Sequence, residues 1–234
     1  MLLKSAQLAI IQLFSKPFRK VLWRSIGYTI LLLVVAWFII ESVVSTILLP
    51  YLGPWPWVAT AMVWLLGTGM FVGAGFLIAP VSAMFAGIFL DDVALEVESK
   101  HYPNDPPGRE LPISAAVWLA AKFTVLVIIA NLLALLLVLL PGINMMIFFF
   151  LNGFLLGREF FQFAAMRFAD EEDVLALRKA NEGVIFLGGM VIAGFMAVPL
   201  LNLATPIFAA ALMVHIHKHC RYKYQQSNPY PFRQ

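Results

Sequence analysis

The sequence predicts an all-α integral membrane protein with two long transmembrane helices, two short-armed helical hairpins and amphipathic surface helices, forming a single membrane domain. Three observations carry this prediction. Hydrophobic residues make up 62% of the 234 residues and charged residues only 12%, whereas soluble domains carry about 25% charged residues. Two apolar runs are long enough to cross a bilayer. Four shorter runs form two pairs around proline-containing turns.

Residues 1–25 predict a surface helix followed by a basic turn. From residue 2 to residue 14, apolar side chains recur at helical spacing, as in a helix that lies on a membrane surface. In the stretch SKPFRKVLW that follows, Pro17 suits the first turn of a helix, whose free amides and dipole attract anions. The turn is therefore either an anion site formed by Phe18, Arg19 and Lys20, or a basic anchor for anionic lipid headgroups.

Residues 26–49 and 58–79 predict the two transmembrane helices. As a helix, the first run would be about 36 Å long, and the hydrocarbon core of a bilayer is about 30 Å thick. The aromatic stretch YLGPWPW between the runs suits the membrane interface. The helical pattern of the second run continues to about residue 100, where acidic residues enter between the apolar positions. We expect this helix to leave the membrane there.

Both predicted spans contain residues that are unusual in lipid. Glu41 is costly in a membrane, so it faces a partner or a water path, or it snorkels towards the nearby end of its span. Gly69 and Gly73 have the small-xxx-small spacing of closely packed helices, and we interpret them as packing residues.

Two hairpins are predicted over residues 123–157 and 184–214, joined by a charged surface helix at 169–182. Each has an apolar arm, a P-x-x-N turn and an apolar return, with the turns ending at Asn144 and Asn202. An arm of about 15 residues reaches only about 22 Å. The hairpins are therefore re-entrant, or they are full spans with snorkelling flanks; the short arms and the uncharged turns favour the re-entrant form.

The second of these turns interrupts the apolar run as AVPLLNLATP. We expect Pro199 to end the rising arm and the Asn202 side chain to bind backbone groups that the turn leaves unpaired. Pro206 is expected in the first turn of the returning arm, where its missing amide costs little.

Charge is distributed asymmetrically across this topology. Every Lys and Arg falls on the side that holds both termini, and none lies on the side of YLGPWPW and the two turns. The positive-inside rule makes the charged side cytoplasmic. A charge network, either structural or part of a transport path, is predicted on that side among Asp91, Asp92, Glu96, Lys122 and Arg158.

Several kinds of chemistry are not expected. The dispersed basic residues do not form a nucleic-acid-binding stripe. The single Cys220 rules out an internal disulfide framework, and no removable signal peptide is expected. No P-loop and no catalytic signature occurs, so we expect no enzyme and no cofactor. In HIHKHC, His215 and His219 share a helix face without a carboxylate, which favours an interfacial cationic flank over a metal site.

Four stretches together resemble the CysZ sulfate permeases, a family that includes the etoposide-induced membrane proteins: SKPFRKVLW, LIAPVSAMFAGIFLDDVALEVE, LPGIN and VPLLNLATPIFAAALM. The resemblance implies two long spans, two partly penetrating hairpins and a homo-oligomer. It also implies a sulfate site at a P-G-[IL]-R-R turn, which Pro17, Phe18, Arg19 and Lys20 match, except that the glycine is absent and lysine replaces the second arginine. Lysine keeps the charge but lacks the bidentate fork of arginine.

From the resemblance we expect ATP-independent uptake of sulfate or a similar oxyanion across the bacterial inner membrane, supplying cysteine synthesis. Channel, proton symport and sodium symport all stay open. The alternative is a membrane scaffold that binds lipid headgroups and transports nothing. Four polar residues are expected either to line a transport path or to have a structural role: Glu41, Asn144, Arg158 and Asn202.

Overall fold

The computed structural model describes residues 1–52, 54–110, 112 and 144–227. Among these residues the regular structure is entirely helical, which confirms the all-α class. Two helical segments are long and apolar enough to cross a membrane, Lys16–Tyr51 and Pro56–Gly75, in agreement with the two predicted spans. The first arm of the predicted hairpin at 123–157, and Lys122 before it, lie outside the described residues.

Nine α-helices are described between residues 2 and 227. In chain order they are α1 (Leu2–Leu13), α2 (Lys16–Val43), α3 (Pro56–Ile88), α4 (Leu90–His101), α5 (Asn144–Met166), α6 (Glu171–Ala180), α7 (Glu182–Met196), α8 (Pro199–Asn202) and α9 (Thr205–Ser227).

The chain divides into two compact units. The first unit comprises Met1–Arg19 with Phe89–Gln234, and the second comprises Lys20–Ile88. The second unit contains most of α2, together with α3. A π-helical turn (Val44–Leu48) and a 3-10 turn (Leu49–Leu52) continue α2, so the first candidate span has no sharp break.

Buried hydroxyl groups connect α2 and α3 within the second unit. Ser25 donates a hydrogen bond to the Val21 carbonyl and Thr29 to the Ser25 carbonyl, four residues back in each case. Ser82 Oγ on α3 donates to Thr29 Oγ1 over 3.0 Å. Such small polar residues satisfy one another where no water is available, and they allow two helices to approach closely.

Helix α9 lies at the centre of the first unit. It packs against α1, α4, α5 and α7, and its residues 207–214 are completely or almost completely buried. The sequence IFAAALMV supplies apolar side chains around the whole helix, and this pattern is typical of a helix enclosed by protein.

The crossing of α5 and α7 depends on glycine. A Cβ atom on Gly189 would lie 1.8 Å from the carbonyl oxygen of Gly153, and one on Gly157 would lie 2.6 Å from the carbonyl oxygen of Ile185. The close helix packing predicted for Gly69 and Gly73 is not seen, because no described atom lies within 4 Å of a Cβ built on either residue. The close approach occurs at a different glycine pair.

The turn in AVPLLNLATP differs from its prediction in one respect. Helix α7 ends at Met196 and Val198 is extended, so Pro199 begins the one-turn helix α8 rather than ending the rising arm. The backbone amide of Asn202 donates to the carbonyl of Val198 over 2.9 Å. Pro206 is the second residue of α9, as expected from the tolerance of proline in a first helical turn.

Candidate functional site

The basic turn is a short connection between α1 and α2. Helix α1 ends at Leu13, and the amide of Ser15 donates to the carbonyl of Gln12 over 2.8 Å. Helix α2 begins at Lys16, with Pro17 second. The Oγ atom of Ser15 is buried and has no hydrogen-bond partner among the described residues.

Phe18 and its two basic neighbours point in different directions. The Phe18 side chain is 1% exposed, whereas Arg19 and Lys20 are exposed. Burial of the aromatic ring fixes the start of α2, and it leaves only the Phe18 backbone to face an anion. The first three amides of a helix lack intrahelical partners and Pro17 has no N–H group, so the amides of Lys16 and Phe18 are the donors at this helix end.

Glu41 lines a cavity inside the second unit. The cavity has a volume of about 340 Å³, and Trp37, Ser45, Gly67 and Met70 are among its other lining residues. Glu41 is exposed, one turn before the π-helical turn of α2. A carboxylate within a spanning helix beside a cavity suits either of the predicted roles, a path residue or a snorkelling group.

The other predicted path residues lie on two helices of the first unit. Asn144 is the first residue of α5, Arg158 lies near the middle of the same helix, and Asn202 ends α8. Their role in a path stays a prediction.

The predicted charge network exists in a different form. Arg167, at the end of α5, is fully buried and pairs with Asp91 and with Glu98 of α4; the distance from its Nε to Glu98 Oε1 is 3.1 Å. Glu98 also accepts a hydrogen bond from the Gly108 amide over 3.0 Å. Among the described residues, Arg158 does not belong to this network. The prediction did not include Arg167, and no pattern in the sequence distinguished this residue from its neighbours; Lys122, the other predicted cation, lies outside the described residues.

Five of the six residues of the HIHKHC segment are buried within the first unit and His219 is exposed, so the segment is packed against protein; its place at a membrane interface stays a prediction. His215, His217 and Lys218 are each at most 2% exposed. Lys218 Nζ lies 2.9 Å from Asp105 Oδ2 and 4.0 Å from the centre of the Phe168 ring. The described residues contain no group of three or more His, Cys, Asp or Glu side chains that could hold a metal.

The two buried histidines have different surroundings. Tyr102 Oη lies 2.9 Å from His215 Nδ1, and Gln12 Oε1 lies 3.3 Å from His215 Nε2. His217 stacks on Phe168 and has no described hydrogen-bond partner for Nδ1. Burial lowers the pKa of His215 to about 4 and that of His217 to about 3, with the charges of neighbouring groups as smaller causes. Both rings are therefore neutral near pH 7.

The low pKa of His217 predicts an acid-sensitive fold. Between pH 6.5 and about 3 the unfolded chain binds the proton that the folded chain excludes, so this stability is present above pH 6.5 and is lost as the pH falls. The loss amounts to at most about 1.4 kcal/mol per pH unit for one group. Thermal unfolding in detergent from pH 7 to 4 should show a smaller slope for His217→Phe than for wild type.

His219 provides the matched control, because it lies two residues away on the same helix and is exposed. We expect the slope for His219→Phe to equal that of wild type. Equal slopes for wild type and His217→Phe would show that His217 does not cause the acid sensitivity.

The chain matches a protein-family model. Residues 6–206 match the family model described as sulfate transporter CysZ/etoposide-induced protein 2.4. The matched range contains the basic turn, both candidate spans and helices α5 to α8. No curated protein matches the chain.

Proposed function

The chain belongs to the sulfate transporter CysZ/etoposide-induced protein 2.4 family, and on this premise we propose that it carries sulfate, or a similar oxyanion, across the bacterial inner membrane without ATP. The imported sulfate would supply cysteine synthesis. We further propose that both termini are cytoplasmic, as the one-sided distribution of Lys and Arg favours, and that the protein acts as a homo-oligomer.

The observation that carries this proposal is the exposed basic start of α2. Arg19 and Lys20 lie within the first five residues of the helix and are exposed, next to amides that have no intrahelical partner. Helix dipole, amides and cations all favour a divalent anion at this position. The same helix continues into the first candidate span, so an anion captured here would lie at one end of a membrane helix.

In the proposed mechanism the basic turn concentrates sulfate at the cytoplasmic face, and the hairpins shape a path between helices or subunits. Arg19 supplies two parallel donors and Lys20 supplies a compact charge. Three residues are candidates for polar groups along that path. Glu41 lies within the first candidate span, and Asn144 and Asn202 belong to the two turns on the side of the membrane that carries no Lys or Arg. The proposal covers three transport mechanisms, namely a channel, proton symport and sodium symport.

Sulfate binding and flux test the proposal directly. We expect purified protein in proteoliposomes to admit labelled sulfate faster than protein-free vesicles do. Arg19→Gln combined with Lys20→Gln should weaken sulfate binding in detergent by about tenfold or more, because charge-assisted hydrogen bonds contribute about 1.5–3 kcal/mol each. The control is Lys4→Gln combined with Arg24→Gln, which removes two exposed cations from other positions and should leave binding unchanged.

A non-transporting scaffold is the second candidate, and Trp23 favours it. This side chain is 68% exposed beside Arg24, a combination typical of anchors at a lipid interface. Flux no higher than in empty vesicles, together with vesicle binding that requires anionic lipid, would establish the scaffold and overturn transport.

A further inference from the structure

A second cavity lies inside the first unit, among α5, α6 and α7. It has a volume of about 390 Å³, within the range of about 300–1,000 Å³ typical of ligand pockets. Two arginines line it from different helices, Arg158 on α5 and Arg178 on α6. Glu182 and Gly183 line it at the start of α7, and its apolar wall consists of Phe154, Ile185 and Phe186.

The two guanidinium groups lack ionic partners within the described part of the chain. No described carboxylate lies within 4.0 Å of either group, and the only hydrogen bond recorded for them runs from Arg178 Nη1 to Gln162 Oε1 over 3.4 Å. The positive charges of Arg158 and Arg178 also repel each other. Among the described residues that line the cavity, the exposed carboxylate of Glu182 is the one group that offsets that repulsion.

The backbone at the mouth of the cavity is electrostatically positive, as are the two arginines. Helix α7 begins at Glu182, so the amides of its first turn have no intrahelical acceptors and its dipole is positive at this end. Gly183 has no side chain to cover these amides, and no described atom lies within 4 Å of a Cβ built on it. Two cations and the first-turn amides of α7 thus lie around one partly open cavity.

We propose that this cavity binds a tetrahedral oxyanion, with Arg158 and Arg178 as its paired donors and the start of α7 as its backbone cradle. The inference rests on the proposed function, since it makes the cavity a second sulfate-type site, distinct from Arg19 and Lys20. The same chemistry could come from free sulfate or from the phosphate of a lipid headgroup, whose acyl chain would contact Phe154 and Phe186. Glu182 makes the site weaker than two arginines alone would.

The charges predict three different effects on binding. With delipidated protein and labelled sulfate, Arg178→Gln should weaken the sulfate bound outside the basic turn by about tenfold, because it removes a charge-assisted pair. Glu182→Gln should strengthen it, because it removes a repelling carboxylate. Lys179→Gln, which removes an exposed cation one residue from Arg178, should leave binding unchanged. Each measurement is made with Arg19→Gln and Lys20→Gln already present, so that only the second site is observed.

Native mass spectrometry of the same variants distinguishes the two sources of the oxyanion. Loss of sulfate binding in Arg178→Gln identifies free sulfate as the ligand. Unchanged sulfate binding with loss of co-purifying anionic phospholipid identifies a headgroup phosphate. Both results support the proposal.

Sulfate affinity and retained lipid that are equal to wild type in both Arg158→Gln and Arg178→Gln would overturn the cavity site. Unfolding temperatures near the wild-type value would show that these variants are folded. Proteoliposome flux separates the two hypotheses. If the wild type shows sulfate flux but the cavity variants bind sulfate and lipid as the wild type does, only the second site is overturned. If sulfate binding depends on Arg178 but no flux is measured, only transport is overturned.

Discussion

Replacement of Arg167 by methionine is expected to destabilise the first unit by about 3–5 kcal/mol, the typical cost of breaking a buried ion pair from one side. The Arg167 side chain is fully buried and the Glu98 side chain is 4% exposed. Methionine fills much of the same space but leaves the Glu98 carboxylate with the Gly108 amide as its one remaining described donor. An ionised carboxylate that has lost its cation in such surroundings carries the full desolvation cost.

Two further variants test this explanation in the same denaturant-unfolding measurement. Arg167→Met combined with Glu98→Leu should recover part of the stability, because it leaves no unpaired buried carboxylate; the Asp91 side chain, which also loses its cation, is 31% exposed and can be hydrated. Lys179→Met removes an exposed cation from the neighbouring helix and should have an effect below about 0.5 kcal/mol. The double variant could instead be less stable than Arg167→Met, by as much as a second, independent core substitution would cost. In that case the unpaired Glu98 carboxylate would not be the cause of the instability of Arg167→Met.

Arg167 also marks the limit of what the sequence predicts about charge. The sequence predicts which segments share a side of the membrane, since this prediction depends only on the order of apolar and charged segments. It does not indicate which cation pairs with Asp91, because that depends on how α4 and α5 pack. Arg158 lies within α5 and Arg167 directly follows its last residue, and only the fold places Arg167 between Asp91 and Glu98.

The helices themselves are largely readable from local signals. Long apolar runs give the two candidate spans, and prolines mark the beginnings of α2, α3, α8 and α9, because a missing amide is tolerated in a first helical turn. The burial of HIHKHC was not readable. The side chains of His215 and Lys218 contact Tyr102, Gln12 and Asp105, more than a hundred residues away along the chain, and no local pattern encodes such partners.

The candidate sites divide in the same way. The basic turn is a local feature, so Pro17 and the two cations after it predict a helix start with exposed charge, which the structure has. The cavity between Arg158 and Arg178 forms only when α5, α6 and α7 pack together, so sequence spacing gives no sign of it. Chemistry that depends on one helix end is predictable, whereas chemistry that depends on three helices requires the fold.

The glycine pairs give the sharpest comparison, and they lead to the second large effect. Gly69 and Gly73 have the same spacing as Gly153 and Gly157, yet within the described part of the chain only the second pair has a helix against it. Spacing shows that a backbone approach is possible, and the tertiary structure decides whether it occurs. Gly189 of α7 is the residue that this approach depends on most.

We expect Gly189→Ala to destabilise the first unit by about 3 kcal/mol or more, at or above the upper end of overpacking effects. The added Cβ would meet the Gly153 carbonyl oxygen at 1.8 Å and the Gly157 Cα at 2.8 Å. Both are backbone atoms and cannot rotate away, so α5 and α7 would have to separate along their contact. The measurement is the unfolding temperature in detergent, together with the elution profile.

Alanine substitutions at other glycines of α5 and α7 should destabilise the protein to different degrees, depending on which atoms the new Cβ would meet. Gly157→Ala meets the Ile185 carbonyl oxygen at 2.6 Å and should also be severe, whereas the nearest atom for Gly153→Ala is the flexible Sδ of Met190, so its effect should be smaller. Gly194→Ala, on the same helix as Gly189, meets no described atom within 4 Å. It should be neutral or stabilising by about 0.5–1 kcal/mol, since alanine favours helix over glycine. Equal stability of the Gly189 and Gly194 variants would contradict a close crossing of α5 and α7, because only that crossing distinguishes the two positions.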